Sequence, residues 1–283
     1  MSAAPELFTD MQSDRKGFQL LSDYLRNAAG ISMPLNEKNL CLMASRLGKV
    51  MRNHNLDSYA ELYKRMQMGD MKVRDEFIMA LTTNTTHFFR ESIHFDTLTR
   101  YLPSLCQLNP KDNEFRLWCA ASSTGQEPYT LAMTCHNYFE YQPQMNCKIL
   151  ATDIDLKVLS TAAHGCYQHN EVANIDSATL KKYFHRVHSV KGDRYQVNTN
   201  ISDLVRFSRL NLLDPQFPFK KKFHVIFCRN VFIYFEKDTV AQIISKMADV
   251  LYPGGLLFLG HAESGIMRSP VFKNVEHAVY RRV

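Results

Sequence analysis

Phe223-His-Val-Ile-Phe-Cys228 is a six-residue run broken only by His224, and Leu256-Leu-Phe-Leu259 is a second, entered through the turn Tyr252-Pro-Gly-Gly255. Runs this short and this continuous suit strands covered on both faces, the situation of parallel sheets. Between them, residues 237–251 put Ile243, Ile244, Met247 and Val250 on one side of a helix. Upstream lie three more short runs, 115–121 (FRLWCAA), 147–152 (CKILAT) and 205–210. The first is followed by a helical pattern with Leu131, Met133 and Tyr138, the second by a helix over 156–163. Strands alternating with helices of this length predict parallel βαβ units and hence a doubly wound α/β sheet. Residues 165–204 break the alternation. There, 178–186 reads as a short helix, and 188–190 with 195–197, joined through Lys191-Gly-Asp193, read as a hairpin. A small β-subdomain inserted into the sheet, over about 165–204, is the expected arrangement.

The first eighty residues have a different grammar. Phe18, Leu21, Leu25 and Ala28, with Leu20 and Tyr24, follow helical spacing and stop at Gly30. Leu40, Met43, Leu47, Val50 and Met51 repeat the pattern, with Lys38, Arg46, Lys49 and Arg52 gathered toward the other face. Ser58-Tyr-Ala-Glu61 has the form of a capping box opening a third helix through Met66, and 75–81 reads as a fourth. The expected domains are a helical N-terminal one over 1–82, an interdomain linker and helix over 83–110, and the sheet domain over 111–283.

Composition narrows the class. With 283 residues, 45% apolar and 22% charged, the chain is long enough to bury a large core without a metal or disulfide staple. No apolar run approaches the roughly 20 residues needed to span a bilayer, and residues 1–30 show no secretory h-region, so a cytoplasmic protein without membrane insertion is expected. Seven cysteines at irregular gaps, without C-x-x-C, read as reduced thiols. No paired spacing completes a metal site, and His185-x-x-His188 reads as a surface pair, so no metal is expected. The net charge of +6 is concentrated in residues 181–222, where ten Lys/Arg face Asp193, Asp203 and Asp214.

Ligands of open α/β sheets bind at the carboxyl ends of the strands. The first such end here is the small-residue turn Ala121-Ser-Ser-Thr-Gly-Gln-Glu-Pro-Tyr129, with one glycine and no G-x-G-x-x-G. The second is Thr152-Asp153-Ile-Asp155. Asp155 suffices as the cap of the next helix, which leaves Asp153 placed to accept from ribose hydroxyls. The third and fourth end in Asn211-Leu212 and Arg229-Asn230, amides suited to an adenine or to an amino-acid group.

Taken in order, Thr83-Asn-Thr-Thr-His-Phe-Phe-Arg-Glu91, Ser123-Thr-Gly-Gln-Glu-Pro-Tyr129, Ala151-Thr-Asp-Ile-Asp155, Asn211-Leu-Leu213, Phe227-Cys-Arg-Asn-Val-Phe-Ile-Tyr234 and Gly260-His-Ala-Glu263 resemble the signature blocks of the CheR-type chemotaxis receptor methyltransferases. The resemblance covers nearly the whole chain. It implies a Rossmann-like methyltransferase sheet preceded by an all-α domain. It also implies transfer of methyl from S-adenosylmethionine to glutamates on the cytoplasmic helices of methyl-accepting receptors, with S-adenosylhomocysteine as product. Position by position, it implies cofactor contacts at Asn84, Thr86, Arg90, Glu127, Asp153, Asn211, Leu212, Arg229 and Asn230, and places Arg90 and Tyr234 at the transferred methyl. Gln126 stands where family members often carry an acid, and the subdomain loop is short, with Gly192 its one glycine. For the acidic receptor helix, Arg46 and Lys49 are the expected contacts. The protein is expected to be a monomer. Two other readings are a cofactor-binding signalling module without turnover and a nucleic-acid methyltransferase. Arg90 and Tyr234 argue against the first. Against the second, the position of an N/D-P-P-Y/F loop is filled by Arg229-Asn-Val-Phe232, and no nucleic-acid partner is expected.

Overall fold

The computed structural model describes residues 11, 13–142, 144–188 and 192–283, which divide into two compact units. One holds the described residues up to Thr83 together with Tyr234–Glu236. The other holds Asn84–Ile233 and Lys237–Val283.

The first unit is helical. Its helices are α1 (Arg15–Ala29), α2 (Glu37–Asn53), α3 (Tyr59–Gln67) and α4 (Met71–Leu81). Each starts at a side-chain cap, Asp14, Asn36, Ser58 and Asp70, whose oxygen takes an otherwise orphaned N–H of the first turn. Asp70 starts α4 four residues before the expected 75. At α3, Ser58 accepts from Glu61 N as the capping box requires, while the Glu61 carboxylate returns to Asp57 N rather than to Ser58. The expected apolar positions Phe18, Leu21, Leu25, Leu40, Met43, Leu47 and Met51 are all buried, whereas Leu20 is 43% exposed. Leu20 sits one position from Leu21, about 100° around the helix, and so leaves the apolar stripe.

The second unit is built on a seven-stranded sheet in the order β6-β2-β1-β7-β8-β10-β9. Its strands are β1 (Glu114–Cys119), β2 (Asn146–Asp153), β6 (Val205–Arg209), β7 (Phe223–Cys228), β8 (Leu251–Leu259), β9 (Phe272–Glu276) and β10 (Val279–Arg282). The pairs β1/β2, β1/β7, β2/β6 and β7/β8 are parallel, and β10 lies antiparallel between β8 and β9. The five expected strands are all present. Around this sheet run α5 (Ile93–Leu105), α6 (Gln126–Phe139), α7 (Leu156–His164), α8 (His169–Val172), α9 (Ser177–Tyr183), α10 (Thr199–Ser202) and α11 (Lys237–Val250). Residues 84–105, expected as a linker and helix, lie within this unit, because α5 packs Phe95, Leu98, Leu102 and Leu105 into the sheet's core. His224, the polar residue in the decisive run, is buried with its Nδ1 accepting from Arg116 N. Burial and the Arg116 charge push its pKa down to about 4, so the ring stays neutral in the core.

The insertion is a second, three-stranded sheet in the order β3-β5-β4, with β3 (Cys166–Gln168), β4 (Phe184–Val187) and β5 (Arg194–Val197). Its hairpin is β4 with β5, which takes up the expected second strand; of the expected first strand, 188–190, residues 189 and 190 lie outside the described residues. Residues 184–187 leave the expected helix to pair with β5 because α9 ends at Tyr183. Lys191 of the expected turn also lies outside the described residues. The basic excess is partly neutralised: Lys182 pairs with Glu140, Arg186 with Asp193, and Lys221 with Glu114. His185 and His188 are exposed, as a surface pair should be, and all seven cysteines are free thiols. Among the described residues no helix is long and apolar enough to cross a membrane.

Candidate active site

The carboxyl ends of β1, β2 and β7 carry the chemistry of the second unit. After β1 the chain turns through Ser122–Gly125, with Ser123 at φ 47° and Gly125 at φ 101°. Glycine is required at 125, since a Cβ there would lie 2.5 Å from the Tyr167 hydroxyl and 3.0 Å from Ala162 Cα. This turn delivers Ser123 N to Asp153 Oδ2 at 2.9 Å, while Asp155 N donates to Asp153 Oδ1 at 3.1 Å. Each oxygen of Asp153 therefore keeps a lone pair for a ligand. Burial raises the Asp153 pKa, against the pull of those backbone donors. Asp155 caps α7 by accepting from Lys157 N and Val158 N, the role expected of it.

The 84–92 segment is laid across these ends. Ser123 Oγ donates to Asn84 O, and Asn84 Nδ2 donates to Asp155 Oδ2 at 3.1 Å. Phe88 anchors the segment, fully buried and edge-on to Tyr167 and Phe184. Phe89, Glu91, Ser123 and Asn230 all adopt positive φ. Strain of roughly 1–3 kcal/mol per residue persists only where surrounding contacts over-determine it, and all four lie in the segments that the sequence singled out. Arg90 is half-buried and donates from Nη1 to Thr85 O. Among the described residues its Nε and Nη2 make no hydrogen bond, which leaves two donors for a carboxylate. Thr86 is half-buried.

Glu127 and Arg229 meet each other. The Arg229 side chain is fully buried, with Nη1 on Glu127 Oε2 at 3.0 Å and Nη2 on Glu91 Oε2 at 2.9 Å and on Arg90 O at 2.6 Å. Burial drives the Glu127 pKa up, and Arg229 only partly opposes it. At Glu91 burial also acts upward, but Arg229 and Asn230 outweigh it and the pKa is lowered. One guanidinium thus holds two carboxylates under the site. Asn230 Nδ2 reaches Glu91 Oε1 at 3.3 Å, and Asn230 N donates to Glu263 Oε2 at 2.9 Å. Asn211 accepts from Leu213 N through Oδ1, an Asx-turn that shapes the end of β6, and Leu212 is buried behind it. Tyr234, Arg46 and Lys49 belong to the helical unit. There Arg46 donates to Leu81 O and Thr82 O at the end of α4, whereas Lys49 is exposed.

Sequence reasoning missed Glu91, Glu263, His94 and His261. Glu91 and Glu263 closed two of the quoted motifs, and the available signal was a lone acid in an otherwise apolar or glycine-containing strand-end segment. His94 is buried beside Arg229, and burial with that charge takes its pKa down to about 4.

A nearly buried acid after β2 held by backbone N–H groups, a small-residue turn after β1 and a half-free arginine suit a nucleoside carrying a charged amino-acid tail. This sheet and this site suit a Rossmann-like, S-adenosylmethionine-dependent methyltransferase. Comparison with known families agrees: residues 84–281 match "CheR methyltransferase, SAM binding domain" and residues 16–82 match "CheR methyltransferase, all-alpha domain". The chain belongs to the CheR methyltransferase family. It is 39% identical to the "Probable chemotaxis protein methyltransferase" of Rhizobium etli, over 87% of this chain and 93% of that one. It is 37% identical to the "Chemotaxis protein methyltransferase" of Borreliella burgdorferi, over 81% and 82%, and 34% identical to that of Escherichia coli, over 87% and 84%.

Proposed function

We propose that this enzyme esterifies glutamate side chains on the cytoplasmic helices of chemotaxis receptors, acting in the cytoplasm. The observation that carries the reading is the set of strand-end segments around Asp153, Arg90 and Asn230, in a chain whose family and relatives are chemotaxis methyltransferases. Bound S-adenosylmethionine supplies an electrophilic methyl group on a sulfonium sulfur. The acceptor glutamate has a reference pKa of about 4.3 and is already a carboxylate at neutral pH, so the chain needs no general base. Its task is alignment, which is worth roughly 7–11 kcal/mol of barrier when the reacting atoms are well placed.

In this reading Asp153 accepts from the ribose hydroxyls. Asn84, Thr86, Asn211 and Leu212 flank the nucleoside. Arg90 pins a carboxylate near the methyl, and Tyr234 orients the acceptor by its hydroxyl. Glu127 and Arg229, spent largely on each other, act by holding Arg90 and Asn230 in place. Asp153→Ala is expected to weaken S-adenosylhomocysteine binding by about 1.5–3 kcal/mol, the value of charge-assisted hydrogen bonds. Calorimetry on the folded variant checks this, and unchanged affinity removes Asp153 from the ribose.

The function itself is tested by offering the enzyme labelled cofactor with receptor-bearing membranes, RNA or DNA. Base-labile methyl esters on the receptor are expected; label on nucleic acid alone overturns the proposal. Exposed charges act over about 8 Å at physiological salt, so kcat/KM for receptor should fall with ionic strength while product affinity changes little. Lys49 and Arg52 are both exposed on α2, so Lys49→Glu with Arg52→Glu should reproduce that loss at low salt. Arg46 is the poorer probe, because reversing it also removes the donor at the end of α4. A rate indifferent to salt and to the double reversal would leave this face merely solvated.

A further inference from the structure

Beside the buried ion pairs lies a cluster that shares only Glu91 with the groups holding Arg229 and Asn230. Glu91 Oε2, His94 Nδ1 and His261 Nε2 all lie within 4.8 Å of one another. His94 Nδ1 is 3.6 Å and His261 Nε2 is 3.8 Å from that one carboxylate oxygen, beyond hydrogen-bond distance. Both ring nitrogens are shielded from water and, among the described residues, have no hydrogen-bond partner. The His94 side chain is 99% buried, so its idle nitrogen has no solvent to turn to.

The tautomer of His94 follows from its other nitrogen. Nε2 lies 3.3 Å from the His277 carbonyl oxygen, which only accepts, so Nε2 carries the proton and donates. In the neutral ring Nδ1 then points a lone pair toward a carboxylate. Glu91 Oε2 already accepts from Arg229 Nη2 at 2.9 Å and from His261 N at 3.2 Å, so among the described residues it is the two ring nitrogens, not the carboxylate, that lack a counterpart in this buried space. A histidine that donates one N–H to a backbone carbonyl and presents the other nitrogen bare is also the arrangement that fixes metal-bound imidazoles.

We propose that Glu91, His94 and His261 form a binding site for a borderline divalent cation of the zinc, cobalt or nickel class. Two imidazoles and one carboxylate are a donor set for those ions rather than for calcium or magnesium. Bonds of about 2.0–2.1 Å in a tetrahedral site place ligand atoms roughly 3.3–3.4 Å apart, so the two carboxylate–imidazole spacings of 3.6 and 3.8 Å close by a few tenths of an ångström, while the two imidazoles, within 4.8 Å of each other, must draw closer still as the ion binds. The fourth position is left to water, and the 39%-exposed His261 side chain gives the ion its way in. Arg229 Nη2 shares Glu91 Oε2 at 2.9 Å, so its positive charge opposes the ion and makes the site reversible. The sequence expectation of no metal rested on spacing along the chain. Here two ligands stand three residues apart and the third comes from beyond β8, which spacing does not reveal.

The test is titration of chelator-stripped full-length protein with Co2+, read by visible absorption, and with Zn2+, read by calorimetry. One Co2+ should bind with the spectrum of nitrogen and oxygen ligands. His261→Ala, chosen because that side chain is half exposed, should weaken Co2+ and Zn2+ binding at least ten-fold without changing the melting profile of the stripped protein. The cysteines are the rival ligands, and a thiolate-to-cobalt charge-transfer band would assign the ion to them. That band, or binding unchanged in His261→Ala, or no binding by the wild type, overturns the proposal.

Discussion

Replacing Arg229 with Met is expected to destabilise the protein by about 3–5 kcal/mol, the usual cost of removing one partner from a buried ion pair. The reason is what remains. Glu127 and Glu91, which the guanidinium holds at 3.0 and 2.9 Å, would face each other across an apolar side chain packed against Phe95 and Phe227. At about 2–4 °C per kcal/mol for a unit of this size, thermal unfolding should move down by roughly 10 °C. The loss should depend on pH in a definite direction. In the variant both carboxylates lose their cation, so their folded pKa values rise above the unfolded value of about 4.3. That penalty is present above the folded pKa and disappears as pH falls through it. In the wild type, Glu91 has a lowered pKa, so its contribution is present above the unfolded pKa and is lost only as pH falls through the folded one. The stability gap between the two proteins should therefore narrow from pH 8 to pH 5. Adding Glu91→Gln and Glu127→Gln to the variant should recover part of the loss at pH 8. A gap that stays constant with pH, or one below about 1 kcal/mol, would mean that the triad is solvated in solution rather than buried.

The strands were legible because burial on both faces leaves a plain mark. FHVIFC at 223–228 corresponds to β7 residue for residue. The N-terminal helices were legible through caps and apolar stripes. β3 and β9 were not: at three and five residues, with Gln168 and Lys273 among them, they carry no periodicity of their own; β3 is held by β5, distant in sequence, and β9 lies at the sheet edge beside β10. The site divides in the same way. Asp153 could be placed because position at a strand end is a topological fact, and Asp155 because capping is local. The partnership of Glu127 with Arg229 could not, because their 102-residue separation is closed only by the pairing of β1 with β7. Glu91, His94, Glu263 and His261 are likewise united only by tertiary structure. The resemblance could bring these segments forward without saying what each residue does for the next.

Glu263 makes that point in its strongest form, and its replacement is the second large effect expected. The residue is fully buried. Its Oε2 accepts from Gly260 N at 2.7 Å and Asn230 N at 2.9 Å, and its Oε1 from Phe232 N at 2.7 Å and Ile233 N at 3.3 Å. Four backbone donors thus converge on one carboxylate, which ties the chain leaving β8 to the loop leaving β7. The fit is close, since a Cβ at Gly260 would lie 2.5 Å from Asn230 Nδ2 and 2.9 Å from Glu263 Oε2. Asn230, at φ 59°, depends on this tie to keep a conformation that non-glycine residues seldom adopt. Each buried N–H left without an acceptor costs about 1–3 kcal/mol, so Glu263→Ala should lose several kcal/mol, less than the simple sum because the loop relaxes. Glu263→Gln preserves volume but turns an NH2 group toward two N–H donors, and should cost about 2–3 kcal/mol on the same scale. Because the loop carries both Asn230 and Arg229, that milder variant should also bind S-adenosylhomocysteine more weakly, and the amides of Phe232 and Gly260 should exchange faster with solvent. Calorimetry and hydrogen exchange on folded Glu263→Gln measure the two effects separately. Faster exchange with unchanged product affinity would show that Glu263 holds the loop together without positioning Asn230. Unchanged exchange would show that the four N–H groups find other acceptors, and that the carboxylate is not what fixes the end of β7.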